Sequence, residues 1–131
     1  MSTPTASRIL VVDDESSISD LIATSLKFVG FDVRTAASGS EALTVAEEFK
    51  PHAMILDVML PDLDGFELCR RMRELDPHTP ILFFSGAAYT TDKKKGIEAG
   101  ANAYVVKPDI YGLVSNVMQF VVKADRPTAK I

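Results

Sequence analysis

Short apolar runs alternate along this chain with longer stretches in which apolar residues recur every three or four positions. A run of four or five apolar residues is typical of a strand buried on both faces, and the longer spacing is typical of an amphipathic helix. Because the two patterns alternate, we expect an α/β sandwich of three layers, with right-handed crossovers around a parallel sheet. The five strands predicted from the apolar runs are Arg8–Asp13, Phe31–Ala36, Ala53–Asp57, Pro80–Phe84 and Ala103–Val106.

The first two helices begin and end at recognisable residues. The first is predicted from Ser16 or Ser17 to Val29, because a glycine follows as a stop signal. Before the second helix, Ser38 and Glu41 form a capping box, in which each side chain accepts a hydrogen bond from a free backbone N–H. These signals place one helix after each of the first two strands.

The later helices follow the same pattern, with one weak member. A helix is predicted from Phe66 to about Leu75. We expect residues 85–100 to hold a long loop and a weak helix, because Gly96 interrupts the helical pattern. Asp109 is placed to cap the last helix. The apolar stripes that the helices are predicted to bury contain Ile18, Leu21, Ile22, Leu26, Val29, Leu43, Ala46, Phe49, Leu68, Met72, Leu75, Ile110, Leu113, Val114, Val117, Met118 and Val121.

Length and charge narrow the class of protein. At 131 residues we expect one domain over residues 8–123, a flexible arm at residues 1–7 and a tail at residues 124–131. The chain has 14 Lys and Arg against 18 Asp and Glu, and its net charge of -4 argues against a general nucleic-acid binder. Cys69 is the single cysteine, so no intrachain disulfide can form. Because we find neither a cationic leader nor a long apolar run, we expect a cytoplasmic protein without a membrane segment.

Polar residues stand at the carboxyl ends of four of the five predicted strands. In an open parallel sheet, ligands bind in the crevice beyond these ends, so the polar side chains are expected to share one pocket. The residues are Asp13 and Asp14 at the first strand, Asp57 at the third, Ser85 at the fourth and Lys107 at the fifth.

The charges of this pocket indicate its chemistry. Three crowded carboxylates repel one another, so raised pKa values or a bound cation are expected, and oxygen ligands favour Mg²⁺ or a similar hard ion. Lys107 adds a second positive charge. A metal and an ammonium on either side of one carboxylate suit the transfer of a phosphoryl group. Asp57 is the central carboxylate and the predicted nucleophile, and Ser85 is placed to donate a hydrogen bond to a phosphoryl oxygen.

The motifs that carry these residues resemble those of the response-regulator receiver domain of bacterial two-component signalling. The resemblance runs from about Arg8 to Lys123 and implies a flavodoxin-like (βα)5 fold with the parallel strand order 2-1-3-4-5. Its motifs in this chain are Val11-Val12-Asp13-Asp14-Glu15, Leu56-Asp57-Val58-Met59-Leu60-Pro61 with Asp64-Gly65, Phe84-Ser85-Gly86, and Lys107-Pro108.

The resemblance implies a role for each residue of the metal and phosphoryl site. Asp57 would accept a phosphoryl group from a phosphohistidine on a sensor histidine kinase or phosphotransfer protein. Asp14 and Asp57 would bind Mg²⁺ directly, together with the backbone carbonyl of Met59. Asp13 would hold a water molecule bound to the metal.

The resemblance also implies a switch around this site. Lys107 would contact the phosphoryl group, and the peptide bond between Lys107 and Pro108 would be cis. Ser85 would move toward the phosphate, and Tyr104 would turn inward behind it. The domain would then be a switch rather than an enzyme. It would signal to a downstream effector protein or output domain, with neither nucleic acid nor membrane as its own partner.

Three other functions fit these residues less well. Phosphatases of the haloacid dehalogenase class need a second Asp two residues after the nucleophile, where this chain has Met59. A flavin carrier on the same fold needs a loop rich in Ser, Thr or Gly after the first strand. Here that loop begins Asp13-Asp14-Glu15, which would repel the flavin phosphate. An interaction module that is not phosphorylated is expected to lack an acidic residue or the lysine, and this chain has all of them.

Overall fold

A parallel five-stranded sheet forms the centre of the molecule. The computed structural model describes residues 6–125. All strand pairs in it are parallel, and the strand order is β2-β1-β3-β4-β5. The predicted α/β fold and strand order are therefore confirmed. The elements are β1 (Arg8–Val12), α1 (Ser16–Phe28), β2 (Asp32–Ala36), α2 (Gly39–Phe49), β3 (Ala53–Leu56), α3 (Gly65–Leu75), β4 (Ile81–Ser85), α4 (Thr90–Glu98), β5 (Ala103–Val106) and α5 (Ile110–Asp125).

Helices cover both faces of the sheet, which is why the strands are apolar on both sides. Alternate residues of each strand point to opposite faces. Leu10 and Leu56 lie in the core cluster on the side of α2, α3 and α4. Ile9 and Ile55 lie in the cluster on the side of α1 and α5. The central strands thus have no polar face, and their polar residues stand at their ends.

The carboxyl ends of β1 and β3 lie side by side, because Val12 pairs with Leu56 in the parallel register. Both strands end one residue earlier than the apolar pattern predicts, so Asp13 and Asp57 directly follow them. Their backbones still bond to the sheet: Asp13 N donates to Ala36 O at 3.0 Å, and Asp57 N donates to Val12 O at 3.0 Å. The sheet therefore fixes the backbone of both carboxylates.

The predicted helix caps form, with one change of partner. Ser38 Oγ accepts a hydrogen bond from Glu41 N at 3.1 Å, as a capping box requires. Glu41 Oε1 reaches one residue further back than the motif predicts, to Ala37 N at 2.7 Å. At the last helix, Asp109 Oδ1 accepts from Gly112 N at 2.8 Å.

Gly96 does not interrupt α4, which is a continuous helix of nine residues. A Cβ atom at this position would lie 2.9 Å from Tyr104 Cδ2 and 3.1 Å from Phe83 Cδ2. The glycine therefore permits close packing of α4 on β4 and β5. The prediction of a helix break here was wrong, because a local pattern cannot show how closely a helix approaches the sheet.

Four residues of the predicted apolar stripes are exposed rather than buried. Leu75 is 75% exposed because it is the last residue of α3, and Val29 follows the end of α1. Leu21 and Met118 are 49% and 42% exposed. Helical stripes are wider than the strip that contacts the sheet, so residues at their edges face solvent.

The predicted domain limits at residues 8 and 123 stay a prediction. Residues 1–5 of the predicted arm and residues 126–131 of the predicted tail lie outside the described residues. Ser7, the last residue of the predicted arm, accepts a hydrogen bond at its carbonyl oxygen from Asp32 N at 2.9 Å. The last helix continues to Asp125, two residues into the predicted tail. In the described part of the chain, we find no helix whose length and apolar character suit a membrane crossing.

Candidate functional site

One ammonium group joins the carboxylates at the carboxyl edge of the sheet. Lys107 Nζ lies 2.9 Å from Asp13 Oδ2 and 3.0 Å from Asp57 Oδ2. It also lies 3.7 Å from Glu15 Oε1, at the rim of the site. A cavity of about 350 Å³ opens beside this cluster and is also lined by Asp14, Met59, Ser85 and Gly86. The sheet therefore brings the predicted site residues of four strand ends together.

Asp13 is the most constrained of the three carboxylates. Its side chain is buried, and its Oδ1 accepts a hydrogen bond from Glu15 N at 2.9 Å while Oδ2 contacts Lys107. Burial is the largest influence on its pKa, and repulsion from Asp57 acts in the same direction. Together they raise the pKa of Asp13 above its ordinary value despite the nearby ammonium.

The pKa of Lys107 is also raised, because two carboxylates surround its single ammonium group. Burial lowers it, but the carboxylates of Asp13 and Asp57 raise it by more. The ammonium of Lys107 is stabilised by two carboxylates, whereas Asp13 and Asp57 share one ammonium between them. The raised pKa of Lys107 therefore indicates that negative charge exceeds positive charge around its ammonium group.

A divalent cation would supply the missing charge. Carboxylate oxygens of Asp13, Asp14 and Asp57 all lie within 4.8 Å of one another, close enough to surround one ion. Apart from the exposed Glu15 at the rim, the three carboxylates and the ammonium of Lys107 sum to two negative charges, and one Mg²⁺ would balance them. The donor atoms are all oxygen, which is the ligand type that Mg²⁺ prefers. The residues present therefore fit the ion that the sequence predicts.

Ser85 lines the cavity, and both Ser85 and Tyr104 are hydrogen-bonded to Ala87 in the loop after β4. Ser85 is buried at the end of β4, where its Oγ accepts a hydrogen bond from Ala87 N at 3.3 Å. The Tyr104 hydroxyl donates to Ala87 O at 2.5 Å. The Tyr104 ring is half-buried beside Phe83, with the ring centroids 5.6 Å apart. The tyrosine is thus tied to the loop that begins at the serine, and their roles as a switch stay predictions.

The peptide bond between Lys107 and Pro108 is cis, as the resemblance implies. Lys107 N donates to Ser85 O at 2.9 Å, so the backbone of the lysine is bonded to the end of the neighbouring strand. The backbone that presents the ammonium is therefore fixed by the sheet.

A glycine closes the loop that follows Asp57. Gly65 N donates to Val58 O at 2.7 Å, and a Cβ atom on Gly65 would lie only 2.1 Å from Asp57 O. Only glycine allows this close approach, because any side chain would displace the backbone of Asp57. In the loop between Asp57 and Gly65, Met59 is exposed at the cavity, and Met59 N lies 3.4 Å from Asp57 Oδ1. Met59 is thus adjacent to the carboxylate cluster, as its proposed role as a carbonyl ligand requires.

Sequence reasoning missed two acidic residues, Glu15 beside Lys107 and Asp62 beside the start of α2. Glu15 ends the motif Val11-Val12-Asp13-Asp14-Glu15, but its position beside Lys107 depends on how β1 and β5 are arranged in the sheet. Asp62 lies in a loop, and its bonds to α2 become visible only in the structure. Their signal in the sequence is weak, because an acid in a loop is usually a solvated surface residue.

The raised pKa of Asp13 predicts how the stability of the metal-free protein depends on pH. Above the ordinary value of 3.8, the unfolded chain loses the Asp13 proton before the folded protein does. In this window the folded state binds more protons, so the contribution of Asp13 to the free energy of unfolding falls as pH rises. Asp13→Asn removes this contribution, so the variant should gain stability relative to the wild type as pH rises. Urea unfolding in EDTA from about pH 4 to pH 7 measures the difference, and a difference that does not change with pH contradicts the prediction.

Comparison with known proteins assigns this chain to a family of signalling proteins. The family model of the response regulator receiver domain matches residues 9–118. The chain therefore belongs to the receiver domains of two-component response regulators, which are signalling switches.

Relatives of known sequence and structure agree with this assignment. The alkaline phosphatase synthesis transcriptional regulatory protein PhoP of Bacillus subtilis is 48% identical over 101 residues, which are 77% of this chain and 42% of PhoP. A CheY-like receiver domain from Methanospirillum hungatei has a TM-score of 0.86 at 30% identity, covering 91% of this chain and 96% of that one. The BeF3-activated DrrB receiver domain has a TM-score of 0.83 at 34% identity, covering 89% and 98%. The chain spans between 39% and 51% of the length of curated relatives such as TrcR of Mycobacterium tuberculosis and RpaA of Synechocystis.

Proposed function

We propose that Asp57 is the phosphoryl acceptor of this receiver domain. The observation that carries the proposal is the ammonium of Lys107, which bridges Asp57 and Asp13 at the edge of a cavity. A carboxylate oxygen of Asp57 attacks the phosphorus of a phosphohistidine on a sensor histidine kinase or phosphotransfer protein. The new bond is an acyl phosphate, the bond from phosphorus to the imidazole nitrogen breaks, and the imidazole leaves with the electron pair.

We propose that Asp14, Asp57 and the backbone carbonyl of Met59 hold Mg²⁺ directly, and that Asp13 holds a water bound to it. When bound, the metal neutralises negative charge on the transferring phosphoryl group. The carboxylate cluster and its two excess negative charges support this assignment. The BeF3-activated form of the DrrB receiver domain supports the proposed phosphoryl acceptor, because trifluoroberyllate resembles a phosphoryl group on a carboxylate.

Three further side chains act on the phosphoryl group and its signal in this proposal. Lys107 moves its ammonium from the carboxylates to a phosphoryl oxygen. Ser85 Oγ donates a hydrogen bond to another phosphoryl oxygen. Because the Tyr104 hydroxyl is bonded to Ala87 in the loop after Ser85, movement of this loop would carry the tyrosine with it.

The partners follow from this chemistry. We propose a sensor histidine kinase or phosphotransfer protein as the donor, and a downstream effector protein or an output domain as the recipient of the signal. The relatives are named as transcriptional regulators and are about twice as long as this chain, so such an output would lie outside the receiver domain. We propose a cytoplasmic location for the domain, with neither nucleic acid nor membrane as its direct partner.

The proposed function is tested by supplying a small phosphoryl donor in place of the partner. The wild-type protein incubated with acetyl phosphate and Mg²⁺ should gain the mass of one phosphoryl group in intact mass spectrometry. The same incubation with EDTA should leave the mass unchanged, because phosphoryl transfer needs the charge of the metal. A mass gain of equal size in EDTA contradicts the metal assignment, and the absence of any gain with Mg²⁺ contradicts the phosphoacceptor function.

Asp14→Ala should weaken Mg²⁺ binding by at least about tenfold, since it removes a proposed direct ligand. Asp14 is exposed, so the variant should keep the stability of the wild type. Isothermal titration calorimetry with MgCl₂ measures the affinity. Asp32→Ala is the matched control, because Asp32 is also exposed but begins β2 at the opposite edge of the sheet. Equal affinity of Asp14→Ala and Asp32→Ala would exclude Asp14 as a ligand.

A further inference from the structure

The loop between β3 and α3 is bonded to the first turn of α2 through Asp62. Asp62 Oδ1 accepts a hydrogen bond from Gly39 N at 2.8 Å, and Oδ2 accepts one from Ser40 N at 2.9 Å. Oδ1 also accepts from Leu63 N at 3.0 Å within the loop itself. One carboxylate thus joins two free N–H groups of a helix to a loop that comes later in the chain.

The contact with Asp62 is additional to the local N-cap of α2, which is Ser38. Ser38 caps the N–H of Glu41, and Asp62 takes the N–H groups of Gly39 and Ser40 that a local cap leaves free. These N–H groups, first Gly39 and then Ser40, lower the pKa of Asp62. The carboxylate is therefore charged at neutral pH, which suits the positive end of a helix.

The packing around Asp62 shows a second, independent contact between the loop and the helix. A Cβ atom on Gly39 would lie 2.0 Å from Leu63 Cδ2 and 3.2 Å from Asp62 Oδ1. The loop therefore rests directly on the backbone of α2, at a position where the helix has no side chain. Leu63 also packs against the core cluster on this side of the sheet.

The two elements that Asp62 joins are connected to two different strand ends of the carboxylate site. The loop begins with Met59 and is closed at its base by the bond from Gly65 N to Val58 O. At the end of β1, Asp13 N donates to Ala36 O, and α2 begins three residues after Ala36. A shift of the loop relative to α2 would therefore move Met59 relative to Asp13.

We propose that Asp62 is a positioning residue for the metal site, which holds the β3–α3 loop on α2 so that the Met59 carbonyl faces the carboxylates. This inference rests on the proposed Mg²⁺ site and adds a residue that does not touch the metal. Loss of Asp62 frees the tip of the loop, and the ion then has to order the loop when it binds. The cost of this ordering lowers the affinity for Mg²⁺ without a change in the carboxylates themselves.

The test compares Asp62→Ala with Ser38→Ala, which removes a cap of the same helix but no bond to the loop. In calorimetry with MgCl₂, Asp62→Ala should bind about tenfold more weakly than the wild type, at the low end of what outer-shell partners contribute. Ser38→Ala should bind as the wild type does. In the metal-free protein, amide hydrogen exchange over residues 58–64 should accelerate in Asp62→Ala alone. Asp62→Asn keeps one acceptor oxygen, so its affinity should lie between those of Asp62→Ala and the wild type.

The outcomes separate this inference from the proposed function. If the wild type itself binds no Mg²⁺, the metal site is wrong and the inference is wrong with it. If the wild type binds and Asp62→Ala binds equally well, the metal site stands and the positioning role is excluded. If Ser38→Ala weakens binding as much as Asp62→Ala, Asp62 acts only on the stability of α2, which also excludes the positioning role. Thermal unfolding of both variants shows whether their losses of stability are alike.

Discussion

Asp57→Asn is expected to abolish phosphoryl uptake from acetyl phosphate, while the wild type gains one phosphoryl group. The amide has nearly the shape of the carboxylate, so the fold and the cavity should remain. An amide lacks the negative charge that makes a carboxylate oxygen nucleophilic toward phosphorus. Asp57 is buried and contacts Lys107, whereas Asp14 lines the same cavity but is exposed to solvent. Asp14 is therefore not expected to replace Asp57 as the acceptor.

Intact mass spectrometry of the variant with acetyl phosphate and Mg²⁺ measures this loss. Asp32→Asn makes the same chemical change at an exposed position on the opposite edge of the sheet, and should gain mass as the wild type does. Far-ultraviolet circular dichroism checks that both variants are folded. An undiminished mass gain in Asp57→Asn would place the acceptor on another residue and overturn the assignment.

Lys107→Met is expected to lower both the stability of the metal-free protein and the rate of phosphoryl uptake. The substitution leaves the buried carboxylates of Asp13 and Asp57 without their shared ammonium. Breaking a fully buried ion pair costs about 3–5 kcal/mol, and we expect roughly 2–3 kcal/mol here because the site opens to a cavity. Loss of one preorganised positive donor at a reacting group slows transfer by about a hundredfold.

The two effects of Lys107→Met should respond differently to Mg²⁺ and pH. Urea unfolding should show that Mg²⁺ stabilises the variant more than the wild type, because the ion replaces part of the missing charge. Acidification should also reduce the difference in stability, since the pKa of Asp13 is already raised and the carboxyl group can take up a proton. The rate of uptake should remain low at saturating Mg²⁺, because the variant still lacks the positive donor that would contact the phosphoryl group.

Lys94→Met is the control for this substitution, because Lys94 is exposed on α4, outside the contacts that Lys107 makes. It should change neither the uptake rate nor the response to Mg²⁺. If Lys107→Met takes up the phosphoryl group at the rate of the wild type, the ammonium has no part in the transfer. If its stability equals that of the wild type without metal, the carboxylates do not depend on Lys107.

Local sequence patterns were sufficient for the strands and for the position of the reactive groups along them. An apolar run that ends in Asp or Ser indicates both a buried strand and a polar strand end, as at Asp57 and Ser85. The strand limits differed by one residue at most, since a strand ends where backbone pairing ends rather than where apolar residues end. The strand order came from the resemblance to receiver domains, because local patterns do not specify which strands are neighbours.

Local patterns were weakest where a helix meets the sheet. Gly96 has the residue type of a helix breaker but is the position where α4 packs closely on Tyr104 and Phe83. Leu75 and Met118 fit a helical stripe but are exposed, because the helix extends past the sheet or turns them away from it. These outcomes depend on distances between elements, which residue spacing within one element does not contain.

The sequence by itself determined that three carboxylates, a hydroxyl and an ammonium stand at strand ends in a parallel α/β protein. The reason is physical: apolar runs make buried strands, and parallel strands bring all of their carboxyl ends to one edge. Only the tertiary structure decided that Lys107 bridges Asp13 and Asp57, and that Asp62 joins the loop after Asp57 to α2. Those contacts join residues that are far apart in the chain, so they depend on strand register and on the packing of helices against the sheet.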